Sequence, residues 1–94
     1  MNINDRFELY NDDHLKFEKV ENKKSTRPDL HAFITLDKFF PNYGSDIISA
    51  AEHDEIFIDL EEKHIEKLSD GQILELVRCG VFYNEEYDCL GMFV

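Results

Sequence analysis

The chain has no tryptophan, only two prolines, two cysteines, and four glycines, none adjacent to another. Each scarcity excludes something. No glycine-rich loop is available to cradle a phosphate, so Gly44, Gly71, Gly80 and Gly91 read as turn or packing positions. Cys79 and Cys89 form no Cys-x2-Cys pair, and no His-Glu-x-x-His stretch occurs, so the usual zinc spacings are missing. No apolar run approaches the roughly 20 residues that span a bilayer. The N-terminus, Met1-Asn2-Ile3-Asn4-Asp5, has no basic stretch leading into an apolar one, so a secretory signal is not expected. With no such signal, the two cysteines are expected as reduced thiols and the compartment as cytoplasmic.

Positive charge is the next shortage. The 94 residues carry ten Lys and Arg against twenty-one Asp and Glu, a net charge of −11. Residues 1–27 are balanced, and beyond them the only bases are Lys38, Lys63, Lys67 and Arg78. The field of residues 28–94 therefore repels nucleic acid and anionic membranes and attracts a basic partner. The basic group Lys16, Lys19, Lys23, Lys24 and Arg27 is neutralised by its own neighbouring acids and reads as a solvated segment. Direct binding to nucleic acid or membrane is not expected.

What is present suffices for one small folded domain. Hydrophobic residues make up 43% of the chain, including eight Phe and four Tyr. A domain of this size buries about 60–65% of the surface exposed by its unfolded chain. The pattern predicts an α+β fold, with short helices on a small, mainly antiparallel sheet and a C-terminal β-hairpin. Helices are expected over 29–40, 45–53, 60–68 and 70–79, and strands over 15–20, 54–59, 81–84 and 87–93. Residues 1–14 and 21–28 are polar, and flexibility is expected there.

The local signals are specific. Pro28 precedes the first helix and Pro41 stops it. Asp59 with Glu62, and Ser69 with Gln72, have capping-box spacing. Gly80 after Cys79 suits a left-handed helix terminator. The expected core contains Leu30, Phe33, Ile34, Ile47, Ile56, Ile58, Ile65, Ile73, Leu76, Val77, Leu90 and Phe93.

Catalytic signatures are weak. Glu52-His53-Asp54-Glu55 is rich in ligand atoms, but neighbouring side chains diverge on either a helix or a strand. The acids Asp54, Glu55, Asp59, Glu61 and Glu62 are close in sequence and would suit a magnesium-dependent nuclease, yet a nuclease must also hold a polyanion, and the chain offers only a few lysines near its N-terminus. Cys79 falls at a helix C-terminus, where the dipole opposes thiolate formation. No cofactor, metal ligand or catalytic residue is assigned.

The acids themselves are the clearest feature. Glu52, Asp54, Glu55, Asp59, Glu61, Glu62 and Glu66 fall within fifteen residues, and Glu85, Glu86 and Asp88 form a second group. If they face one way, with Tyr83 or Tyr87 as aromatic contacts, they form a negative plate. Such a plate would dock in the basic groove of another protein by imitating a phosphate backbone. The plain alternative is an acidic surface that serves solubility.

Three stretches, Ala51-Glu-His-Asp-Glu-Ile, Leu76-Val-Arg-Cys-Gly-Val-x-Tyr and Glu86-x-Asp-x-Leu-x-x-Phe, resemble small uncharacterised proteins of bacteriophages and prophages. The resemblance covers roughly the second half of the chain and brings no assigned activity. It implies a phage or prophage origin, a setting in which small acidic inhibitors of host proteins occur. The expectation is a non-enzymatic module that binds a basic protein, for example a host nucleic-acid-binding protein. The alternatives are a homo-oligomeric assembly protein, such as a homodimer, and a small metal-dependent hydrolase.

Overall fold

The computed structural model describes residues 2–41, 44 and 46–93. Several short helices pack against one four-stranded antiparallel sheet that ends in a hairpin. The helices are α1 (Ile3–Glu8), α2 (Pro28–Phe39), α3 (Glu62–Ile65) and α4 (Asp70–Arg78). The strands are β1 (Ile48–Glu52), β2 (Glu55–Ile58), β3 (Val81–Asn84) and β4 (Cys89–Phe93), in the order β1-β2-β4-β3.

Period-two alternation divides the sheet into two faces. Ile58, Val81, Leu90 and Met92 point inward and are buried against Ile73, Leu76 and Val77 of α4, with Phe7 and Leu36 in the same cluster. Glu55, Phe57, Phe82, Asn84, Gly91 and Phe93 alternate onto the other face. Ile65 and Leu68 complete the core from the α3 side.

Helix α4 follows its sequence signals closely. The Ser69 hydroxyl accepts the Gln72 N–H at 3.1 Å, and the Ser69 N–H donates to Gln72 Oε1 at 2.8 Å, which closes the capping box. Gly80 follows with φ +96°. Helix α3 departs from expectation. It starts at Glu62 behind Glu61, which makes no side-chain cap bond, and Asp59 stands outside it at the end of β2.

The N-terminal segment joins the core. Helix α1 is capped by Asn2, whose Oδ1 accepts the Asp5 N–H at 2.8 Å, and it buries Ile3 and Phe7. Arg6 donates to the carbonyls of Glu66 and Leu68 and pairs with Asp70 at 3.2 Å. Arg78 pairs with Asp13 at 2.9 Å. The strand expected over 15–20 is absent. Leu15 has φ 62°, which breaks an extended run, and Phe17–Lys19 form a single 3-10 turn.

Residues 48–52 also correct the expected helix over 45–53. The alanine-rich Ile48-Ser-Ala-Ala-Glu52 is strand β1, paired with the free edge of β2 through a two-residue turn in which His53 has φ 55°. Good local helix propensity loses here to edge pairing, which satisfies backbone groups that a short exposed helix would leave to water. The stretch Asn42-Tyr-Gly-Ser45 reads in sequence as a turn, and Asn42, Tyr43 and Ser45 lie outside the described residues.

Helix α2 occupies nearly its expected span but presents a different face. Leu30 and Ile34 are 46% and 38% exposed, while His31, Ala32, Thr35 and Leu36 are buried. Ile47 and Phe93 likewise fall outside the core. The inward stripe of α2 is polar because it meets Glu75 of α4. His31, only 2% exposed, lies 3.0 Å by Nε2 from Glu75 Oε2, and the Thr35 hydroxyl donates to the same oxygen at 3.1 Å. His31 Nδ1 accepts the Lys24 N–H at 3.0 Å, so the proton is on Nε2, which donates to Glu75.

Candidate interaction face

The outer face of the sheet carries the concentrated surface chemistry. Phe57 lies on β2, Phe82 on β3 and Phe93 on β4, and Tyr87 reaches over from the β3–β4 turn. Phe82 and Phe93 stack with centroids 4.7 Å apart, and Phe57 and Tyr87 tilt together at 5.3 Å. Both distances are within the range where aromatic pairs add to their area burial. Phe93 remains 65% exposed and Tyr87 55%. Between them is an open depression of about 360 Å³ lined by Glu52, His53, Asp54, Glu55, Phe57, Asn84, Glu86, Tyr87 and Phe93.

Gly91 makes the centre of this face possible. It stands in register with Phe57 on one side and Phe82 on the other. A Cβ there would meet Phe82 Cζ at 3.1 Å and both Glu55 Oε1 and the Ile56 carbonyl at 3.2 Å. The bare backbone lets Glu55 lean across the sheet, where Asn84 Nδ2 donates to its Oε1 at 2.9 Å.

Four of the ten acids singled out in the sequence, Glu52, Asp54, Glu55 and Glu86, line this depression. Their field is felt by Tyr87, whose hydroxyl is pushed up by Glu86 first and then by Glu52, with partial burial and Glu55 adding to the effect. The remaining six are placed differently. Asp88 accepts the Tyr83 hydroxyl at 3.1 Å, and burial followed by this bond pushes the Tyr83 hydroxyl up. Glu85 is exposed on the β3–β4 turn. Asp59 lies beside Gly44, Glu61 pairs with Lys63 at 3.3 Å, Glu62 opens α3, and Glu66 follows it near Arg6. The structure thus divides the acids among the outer sheet face, the β3–β4 turn and the α3 region.

The sequence pattern singles out Tyr87 and the acids, but it suggests a core position for Phe93 and marks neither Phe57 nor Phe82. Alternation along β2 and β3 puts Phe57 and Phe82 opposite the core residues, but only the register shows that they meet around a glycine.

Cys79 is buried in the core, and Cys89 stands in register with Asn84 on the sheet. Burial pushes the Cys79 thiol up to about 12, with Glu75 adding to the shift, and burial also raises Cys89. Neither is poised as a nucleophile at neutral pH. Among the described residues no three His, Cys, Asp or Glu side chains are placed to share a metal ion, and no helix is long and apolar enough to cross a membrane. Comparison with protein-family models, curated proteins and solved structures gave no match.

Proposed function

We propose that this protein is a non-enzymatic binding module whose outer sheet face receives a basic segment of another protein. One observation carries the reading. Exposed Tyr87 and Phe93 lie on the outer sheet face, around a buried Phe57 and beside Glu52, Asp54, Glu55 and Glu86. Aromatic side chains supply contact area at low entropic cost, and the acids steer and orient a cationic partner. Lysine or arginine stems would lie on the rings while their heads reach the carboxylates, a cation–π geometry added to ion pairing. A host protein that handles nucleic acid has the required chemistry. The division of the acids favours this mixed aromatic–acidic patch over a continuous plate imitating a phosphate backbone.

The test is salt-graded capture from bacterial lysate, with the wild-type chain compared to a Tyr87→Ser/Phe93→Ser double variant. The expected result is a basic protein held at low salt, released by high salt, competed by DNA and lost from the variant. A partner held equally by the variant would rule out this face.

A second reading has one observation behind it. Strand β1 is an outer strand of the sheet and each of its residues is exposed, so among the described residues its outer edge offers unpaired backbone groups to a second copy of the chain. Sedimentation at high salt, where self-repulsion is screened, would show a dimer that Ala50→Pro abolishes.

A further inference from the structure

A buried titratable ring, His31, stands away from the sheet face, between α2, α4 and the segment that leads into α2. Its two nitrogens hold two different parts of the fold. Nε2 donates to Glu75 Oε2 on α4 at 3.0 Å, and Nδ1 accepts the Lys24 N–H at 3.0 Å. Among the described residues, that second bond is the only hydrogen bond made by the backbone of residues 21–26. Side chains add contacts only to the chain just before it: Lys23 Nζ donates to the Val20 carbonyl at 3.0 Å and lies 5.1 Å from the Phe17 ring centre. Asn22 turns the segment at φ 53°, and residues 20–24 close one side of a groove of about 440 Å³ that His31 lines.

An imidazole accepts at Nδ1 only while it is neutral. Once a second proton sits there, both nitrogens donate, and the Lys24 N–H faces another N–H. The Nε2 contact responds in the opposite sense, because it becomes a charge-assisted bond to the Glu75 carboxylate. One proton therefore removes the tie of the segment and tightens α2 on α4. The charges around the ring permit this. Glu75 touches it, and Glu21 lies on the segment side of the groove. Against them stand Lys24 and Lys38, both exposed, and Arg78, which is bonded to Asp13 at 2.9 Å. Solvent screens the exposed lysines more than it screens the direct Glu75 contact. From the 3-10 turn, Phe17 meets the ring edge-on at 5.7 Å and brings no charge, while Lys19 is turned to Asp13 at 3.9 Å.

We propose that His31 is a proton-operated latch: a second proton, taken from solvent at Nδ1, releases residues 21–26 while α2 and α4 stay joined. Histidine is the side chain that changes charge between about pH 5 and 8, and a neighbouring carboxylate favours its charged form. Release opens the side of the groove that the segment closes and frees Lys23 and Lys24. The latch is separate from the aromatic face and does not rest on its reading.

The test is NMR of the full chain, isotopically labelled at nitrogen, across a pH titration. At about pH 8 the His31 ring should show the Nε2–H tautomer, and residues 22–26 should be rigid, with order parameters near about 0.85. Down to about pH 5 the ring nitrogens and the Lys24 amide should titrate with one midpoint. Over the same range the order parameters of residues 22–26 should fall below about 0.6 while those of α4 hold. Glu75→Gln keeps an acceptor oxygen without the charge, so its midpoint should move to lower pH. In His31→Gln the segment should show the same order at both ends of the range. A ring that titrates while residues 22–26 stay rigid, or one that stays neutral throughout, would overturn the proposal. So would α4 loosening together with the segment, the same loosening in His31→Gln, or an unmoved midpoint in Glu75→Gln.

Discussion

Gly80 combines two demands in one residue. Its φ of +96° is a region L side chains rarely adopt, and a Cβ would come within 2.5 Å of Leu15 Cδ2. The tip of Leu15, a side chain 59% exposed, can turn away from a Cβ, so the backbone conformation carries most of the cost. Gly80→Ala should therefore destabilise the fold by about 1–2 kcal/mol, measured by urea unfolding. Asp13 acts through charge. Its bond to Arg78 holds the carboxyl below its ordinary value of 3.8. A depressed carboxylate contributes stability that is fully present above the unfolded value and lost as pH falls through the folded one. Wild-type stability should fall more steeply below about pH 4 than that of Asp13→Asn, when thermal midpoints are compared across acid pH.

At the scale of elements, α2 and β1 show what packing overrides. The polar stripe of α2 is buried because His31 and Thr35 both find Glu75, and a buried polar group is tolerated when it is bonded. Glu75→Ala removes their shared acceptor and should cost about 1–3 kcal/mol. Glu75→Gln keeps a carbonyl oxygen for His31 and should recover part of that loss in the same denaturant titration. Strand β1 makes the complementary point. Its pairing is with β2 alone, and its side chains contribute nothing to the core. Its hydrogen exchange should accordingly be the fastest of the four strands.

For the whole molecule, a net charge of −11 on 94 residues sets the response to salt. The ion pairs Arg6–Asp70 and Arg78–Asp13 are local, whereas the repulsion is distributed over the surface. Raising ionic strength from about 0.01 to 0.15 M shortens the screening length from about 30 to 8 Å. Thermal stability should rise over that range because self-repulsion is relieved. A falling midpoint would mean that the local pairs outweigh the distributed charge. The same screening weakens the proposed grip on a basic partner, so fold stability and partner binding should respond to salt in opposite directions.

The sequence by itself determined the elements whose signals are local. The Ser69–Gln72 capping box, the Gly80 terminator, the β-branched and aromatic run Ile56–Ile58 and the terminal hairpin each rest on residues a few positions apart, and physics at that range leaves little choice. It also determined the sign of the surface, because net charge needs no geometry. Tertiary structure decided what depended on partners distant in the chain. Leu30 and Ile34 look like core residues until Glu75, forty residues on, offers His31 and Thr35 a bond that turns α2 the other way. Ile48–Glu52 reads as a helix until β2 presents an open edge. The ten acids form two groups along the chain that one shared face would unite, yet the sheet register sends four to the aromatic face and leaves the others elsewhere.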